Sequence, residues 1–121
     1  MPFHFPITYR KRGDYSDRQK LIFPQLGCCK DISFDGIQLE IINPLRKESL
    51  INLKLVLPME GNYCRISLDA RVCWLKFNIK KTNYTTGVEF CNVKEDIRKV
   101  LLDFITFIIE KQKSSLIDYP F

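Results

Sequence analysis

Asp31, Ser33 and Gly36 set a carboxylate, a hydroxyl and a residue without a side chain close together in the stretch Lys30-Asp31-Ile32-Ser33-Phe34-Asp35-Gly36. An ionised carboxylate only accepts hydrogen bonds, whereas a hydroxyl donates or accepts, so the pair can grip a ligand that offers N–H groups. Gly36 adds backbone freedom and lets the main chain come close to a bound group. The matching cations lie upstream: residues 9–20 hold Arg10, Lys11, Arg12, Arg18 and Lys20 against Asp14 and Asp17. A guanidinium presents a planar fork of donors suited to phosphate, and the formal charge of +5 is concentrated here, which points to a polyanionic partner near the N-terminus. Each feature also has a plainer reading. A basic run marks a solvated arm as readily as a binding one, and Asp, Ser and Asp35-Gly36 are residues that shape β-turns.

Other chemistries find little support. His4 is the only histidine, and the five cysteines at 28, 29, 64, 73 and 91 form no Cys-x-x-Cys pair. No metal or cofactor is therefore expected, and the cysteines read as small buried hydrophobes. No nucleophile and base can be paired, so an enzyme is not expected. No apolar run reaches the roughly 20 residues of a membrane span, and the N-terminal Met1-Pro2-Phe3-His4-Phe5-Pro6 lacks an export pattern, which leads to a cytoplasmic expectation.

A chain of 121 residues with 45% hydrophobic and 27% charged residues fits one domain able to bury a core without crosslinks. Lys20-Leu21-Ile22-Phe23 is a short apolar run, and Cys28 to Ser33 reads as a strand entering the Asp35-Gly36 turn. Ile37, Leu39 and Ile41 alternate with Gln38 and Glu40, and Leu53, Leu55 and Leu57 repeat the pattern. The longest alternation runs through Ile66, Leu68, Ala70, Val72 and Trp74, and Tyr84 to Phe90 supplies a last strand. The period then becomes helical. Asn92 is placed to cap a helix with Glu95 three residues on, Ile97, Val100, Leu101, Phe104, Phe107 and Ile108 form its apolar stripe, and Lys111 and Lys113 fall in its expected last turn. That stripe is expected to plug a barrel mouth. The spacing divides the chain into a basic, mobile arm over 1–19, a barrel and helix over 20–113, and a tail over 114–121.

Taken in order, Asp31-x-Ser33-x-x-Gly36, the Leu53-x-Leu55-x-Leu57-Pro58 strand, Val72-x-Trp74 and Gly87-Val88-Glu89-Phe90 followed by a helix resemble a PilZ domain. The resemblance spans about Arg10 to Ile109. It implies a mainly β fold: a small antiparallel barrel of six or seven strands with a C-terminal helix. It also implies a bacterial receptor module for cyclic di-GMP, in which Asp31 accepts from a guanine edge, Ser33 and Gly36 complete the motif, and Arg10, Arg12 or Arg18 meets the phosphates. The family's partner motif is two arginines separated by three residues, and no two arginines here have that spacing.

That departure keeps two functions in view. One is a cyclic di-GMP receptor whose basic arm folds over the ligand and relays the signal to a protein of the pilus, flagellar or exopolysaccharide machinery, hence a link to motility. The other is a PilZ-like adaptor that has lost the ligand and works through protein contacts. A barrel gripping single-stranded nucleic acid through Tyr9, Tyr15 and Arg10 is a weaker reading, because the arm has few aromatic residues.

Overall fold

The computed structural model describes residues 2–11, 25–59 and 61–117. Six strands form a closed antiparallel barrel, and one helix follows them. The strands are β1 (Pro2–Lys11), β2 (Gln25–Ile32), β3 (Gly36–Ile41), β4 (Leu50–Met59), β5 (Asn62–Asn78) and β6 (Asn83–Cys91); the helix is α1 (Glu95–Ile117). Around the barrel the order is β1, β2, β3, β6, β5, β4, and β1 pairs with β4 to close it. Closure leaves no unpaired sheet edge.

Alternation in the sequence becomes inside and outside in the barrel. Leu39 and Ile41 of β3, Leu53, Leu55 and Leu57 of β4, and Leu68, Ala70 and Val72 of β5 are buried, while Gln38, Glu40, Lys54 and Arg71 point outward. Leu101, Phe104 and Ile108 of α1 join the same core, so the apolar stripe of the helix meets the barrel as expected. No helix among the described residues is long and apolar enough to cross a membrane.

Three boundaries differ from the sequence reading. Residues 2–11 are a barrel strand, although 1–19 reads as an arm: Ile7 and Tyr9 are each only 2% exposed, and β1 pairs on both sides. The signal was an alternation of Phe3, Phe5, Ile7 and Tyr9, masked by two prolines and by the basic residues that follow. Pro6 lies just before the β1–β4 ladder, which starts at Ile7, so its missing N–H costs that ladder nothing. The run Lys20–Phe23 and the residues Arg12 and Arg18 lie outside the described residues.

The second difference is at the helix start. Asn92 does not cap α1; it adopts a left-handed backbone with φ of 50°, which turns the chain between β6 and the helix. Asn tolerates that conformation better than most residues. Arg98 N–H donates to Lys94 C=O at 2.9 Å, placing the start later, and Glu95 and Asp96 face the positive end of the helix dipole. The third concerns the other end: α1 continues to Ile117, so Lys111 and Lys113 are not in its last turn and part of the expected tail is helical.

Candidate functional site

The hairpin between β2 and β3 is built by the residues of the Asp-x-Ser-x-x-Gly motif. Ser33 donates twice to the carbonyl of Gly36, from its backbone N–H at 2.9 Å and from Oγ at 3.3 Å. Phe90 N–H donates to Asp35 C=O at 2.8 Å and ties the turn to β6. The hydroxyl thus has a structural task, and as an exposed group it keeps lone pairs for a ligand. Gly36 does not have a positive φ; its requirement is steric, because a Cβ there would stand 2.2 Å from the carbonyl oxygen of Val88. Only glycine lets β3 start this close to β6.

A groove of about 830 Å³ opens beside this hairpin. Asp31, Ser33, Asp35 and Gln38 form one wall, Trp74, Gly87 and Glu89 continue it across the barrel's outer face, and Val93, Arg98 and Leu102 flank it from the helical side. The register explains why residues so far apart in sequence meet. Asp31 pairs with Gln38, Gln38 with Gly87, and Gly87 with Trp74, so the four lie in one row across β2, β3, β6 and β5.

Trp74 reaches this row through a β-bulge. The β5–β6 register shifts between Val72 and Trp74, so Cys73 is the extra residue and the alternation that places Trp74 inside is interrupted. The indole therefore lies outside, 40% exposed, on top of Gly87. The Trp74 carbonyl accepts from Thr86 Oγ1 at 2.8 Å, which satisfies a polar group beside the bulge.

Charges in the groove are unevenly committed. Glu89 accepts from Arg71 Nη2 at 2.9 Å, while Arg71 Nη1 donates to Glu48 at 2.6 Å. These two carboxylates, Glu48 first, raise the already high pKa of Arg71 and hold its charge. Arg98 has no ion-pair partner among the described residues and is the cation of α1 that lines the groove.

The structure brings Asp31, Ser33 and Gly36 together. It does not bring Arg10 to them. Arg10 follows Tyr9, which pairs with Gln25, and Asp31 lies six positions further along β2, roughly 20 Å at strand rise. Its Nε is buried without a hydrogen-bond partner among the described residues, beside Asn52 of β4. Arg12 and Arg18 lie outside the described residues. The sequence reading missed Trp74 as an outer-face residue and also Arg98; Gln38 was visible as an outward position without an assigned role. Among the described residues no group of three or more His, Cys, Asp and Glu is placed to hold a metal.

The PilZ domain family model matches residues 3–107, most of the chain. The chain belongs to the PilZ domain family. Among solved structures it is similar to the Bacillus subtilis inhibitor of motility, MotI/DgrA, with a TM-score of 0.73 at 13% identity. The likeness covers 93% of this chain and 49% of that one, so the PilZ chain described here spans about half the length of its structural neighbour. No curated protein matches the sequence. PilZ domains are receptor and adaptor modules, and the six-stranded barrel with one helix is the architecture the motif order implied.

Proposed function

We propose that this PilZ domain is a cytoplasmic bacterial receptor module for cyclic di-GMP, which binds in the groove beside the β2–β3 hairpin. The observation that carries the reading is the convergence of Asp31, Ser33 and Gly36 on one rim of that groove. Asp31 accepts from a guanine edge, the Ser33 hydroxyl bonds alongside it, and Gly36 fixes the turn that presents both. The ligand also carries phosphates, and Arg12 and Arg18 are candidates to meet them. Binding alters the groove surface, and a partner protein reads the change. The name of the Bacillus subtilis neighbour supports motility machinery as the setting, with pilus, flagellar or exopolysaccharide components as the class of partner.

Calorimetric titration of cyclic di-GMP into the chain tests this. Binding that Asp31→Ala weakens by about tenfold or more is the expected result, as for loss of a charge-assisted contact. Absence of heat at high ligand concentration would refute the receptor.

A specific observation favours the adaptor as second reading. Phe34 and Leu102 line the same groove and are 49% and 47% exposed, which suits contact with a protein surface. A chain that gives no heat with the nucleotide and loses a partner contact on Phe34→Ala would follow the adaptor route.

A further inference from the structure

We propose that the barrel end carrying the β5–β6 hairpin docks on an anionic lipid surface, with Ile79 as the residue that enters the bilayer interface. This goes beyond the receptor reading and uses a different surface. The strand β3 starts at the β2–β3 hairpin and ends at Ile41, whose partner Tyr84 lies at the start of β6, so the two hairpins sit at opposite ends of β3.

The β5–β6 hairpin carries the core face of the sheet out into solvent. Cross-strand partners share a face, and Ile41 pairs with Tyr84, which pairs in turn with Phe77. Ile41 is buried, Tyr84 half-buried and Phe77 exposed, and at the turn itself Ile79 is 80% exposed. Ile42, which follows the last residue of β3, is 74% exposed at the same end. The tip is held in shape: Asn78 Nδ2 donates to Asn83 Oδ1 and to Thr85 Oγ1, both at 2.9 Å, and the rings of Phe77 and Tyr84 meet with centroids 5.1 Å apart. An isoleucine displayed on a rigid turn loses little further freedom when it is buried by a partner.

Cations flank these apolar groups. The stretch from Lys76 to Tyr84 holds Lys76, Lys80 and Lys81 and no acid, and the 42–49 loop from β3 to β4 adds exposed Arg46 and Lys47. Two neighbouring acids are committed, since Glu40 accepts from Lys81 at 3.1 Å and Glu48 accepts from Arg71. Apolar groups at a tip with lysines behind them suit a membrane interface: the former enter the acyl boundary, and lysine stems reach back to the headgroup phosphates. Each cation near an anionic leaflet adds roughly fivefold to partitioning. A nucleic acid would satisfy the lysines but offers no apolar phase for Ile79 and Ile42. A stable protein contact would bury a broader patch than one convex turn presents.

Co-sedimentation of the full chain with vesicles tests the proposal, using phosphatidylcholine alone and an equal mixture of phosphatidylcholine and phosphatidylglycerol. The expected result is binding to the mixed vesicles, binding to phosphatidylcholine weaker by about tenfold or more, and release as salt is raised. Ile79→Ser should weaken binding roughly tenfold by removing apolar area, and the double variant Lys80→Gln, Lys81→Gln should weaken it about twentyfold. All three positions are exposed, so the urea midpoints of the variants should match the parent. Failure to bind the mixed vesicles would overturn the proposal, as would vesicle binding that Ile79→Ser leaves unchanged. Equal retention of the parent and Ile79→Ser on a short single-stranded DNA, without vesicle binding, would also overturn it and assign the lysines to a polyanion.

Discussion

The indole of Trp74 occupies the space where a side chain on Gly87 would stand: a Cβ at that position would lie 2.1 Å from Nε1 and 2.3 Å from Cε2. Gly87→Ala must therefore push the indole off the outer face, since the obstacle is a side chain and can move. Tryptophan emission shifted to longer wavelength and stronger quenching by iodide are the expected outcomes, with a stability loss of about 1–3 kcal/mol from overpacking. An unchanged emission spectrum would show that the indole is not seated on residue 87.

Gly36 presents the contrasting case. Its added Cβ would meet the Val88 carbonyl oxygen at 2.2 Å, and backbone in a closed barrel has no comparable escape. Gly36→Ala is expected to destabilise the fold more than Gly87→Ala, measured as the midpoint of urea unfolding under identical conditions. Equal midpoints would contradict the steric account of the motif glycine.

Arg10→Ala should leave cyclic di-GMP affinity unchanged. Its place on β1, roughly 20 Å along the β2 register from Asp31, keeps it away from the groove. A calorimetric comparison with Asp31→Ala separates the two, and a clear loss of affinity in Arg10→Ala would mean that the ligand sits elsewhere on the barrel.

Stability should fall as pH rises above about 9. Burial pushes Cys29 up to about 12 from 9.0, and burial likewise raises Tyr9 to about 12 from 10.0. Both groups have folded pKa values above their unfolded ones, so the unfolded chain releases protons first. The folded state is then penalised progressively between pH 9 and 12, with no penalty below that window. Urea unfolding across this range should show the decline, and Tyr9→Phe should flatten it above pH 10. For the same reason Cys29 should be the slowest of the five thiols to react with a disulfide reagent in the native protein.

Much of the barrel was legible because its strands alternate cleanly. Ile37, Leu39 and Ile41 against Gln38 and Glu40, or Leu53, Leu55 and Leu57 against Asn52 and Lys54, leave one choice of inward face. Alternation fails where the chain inserts a residue. Cys73 is invisible as a bulge in the sequence, yet it moves Trp74 from core to groove. The first strand was hidden for another reason, since the basic residues that follow Tyr9 have the composition of a solvated arm and mask the inward Ile7 and Tyr9. The motif residues Asp31, Ser33 and Gly36 could be read from their order, but the reason for Gly36 could not. Its constraint is the distance to a strand more than fifty residues away, which no local spacing encodes. Arg98 carried no sequence signal, because its role depends on where the helix packs.

The most direct test of the nucleotide groove is a titration of the isotope-labelled chain with cyclic di-GMP, followed by amide and indole N–H chemical shifts. Binding in the groove should move the amides of Asp31, Ser33, Gly36, Gln38 and Gly87 together with the Trp74 indole, and leave Tyr9 and Gln25 in place. Shifts gathered around Tyr9 and Gln25 instead, or no shifts at saturating nucleotide, would contradict it.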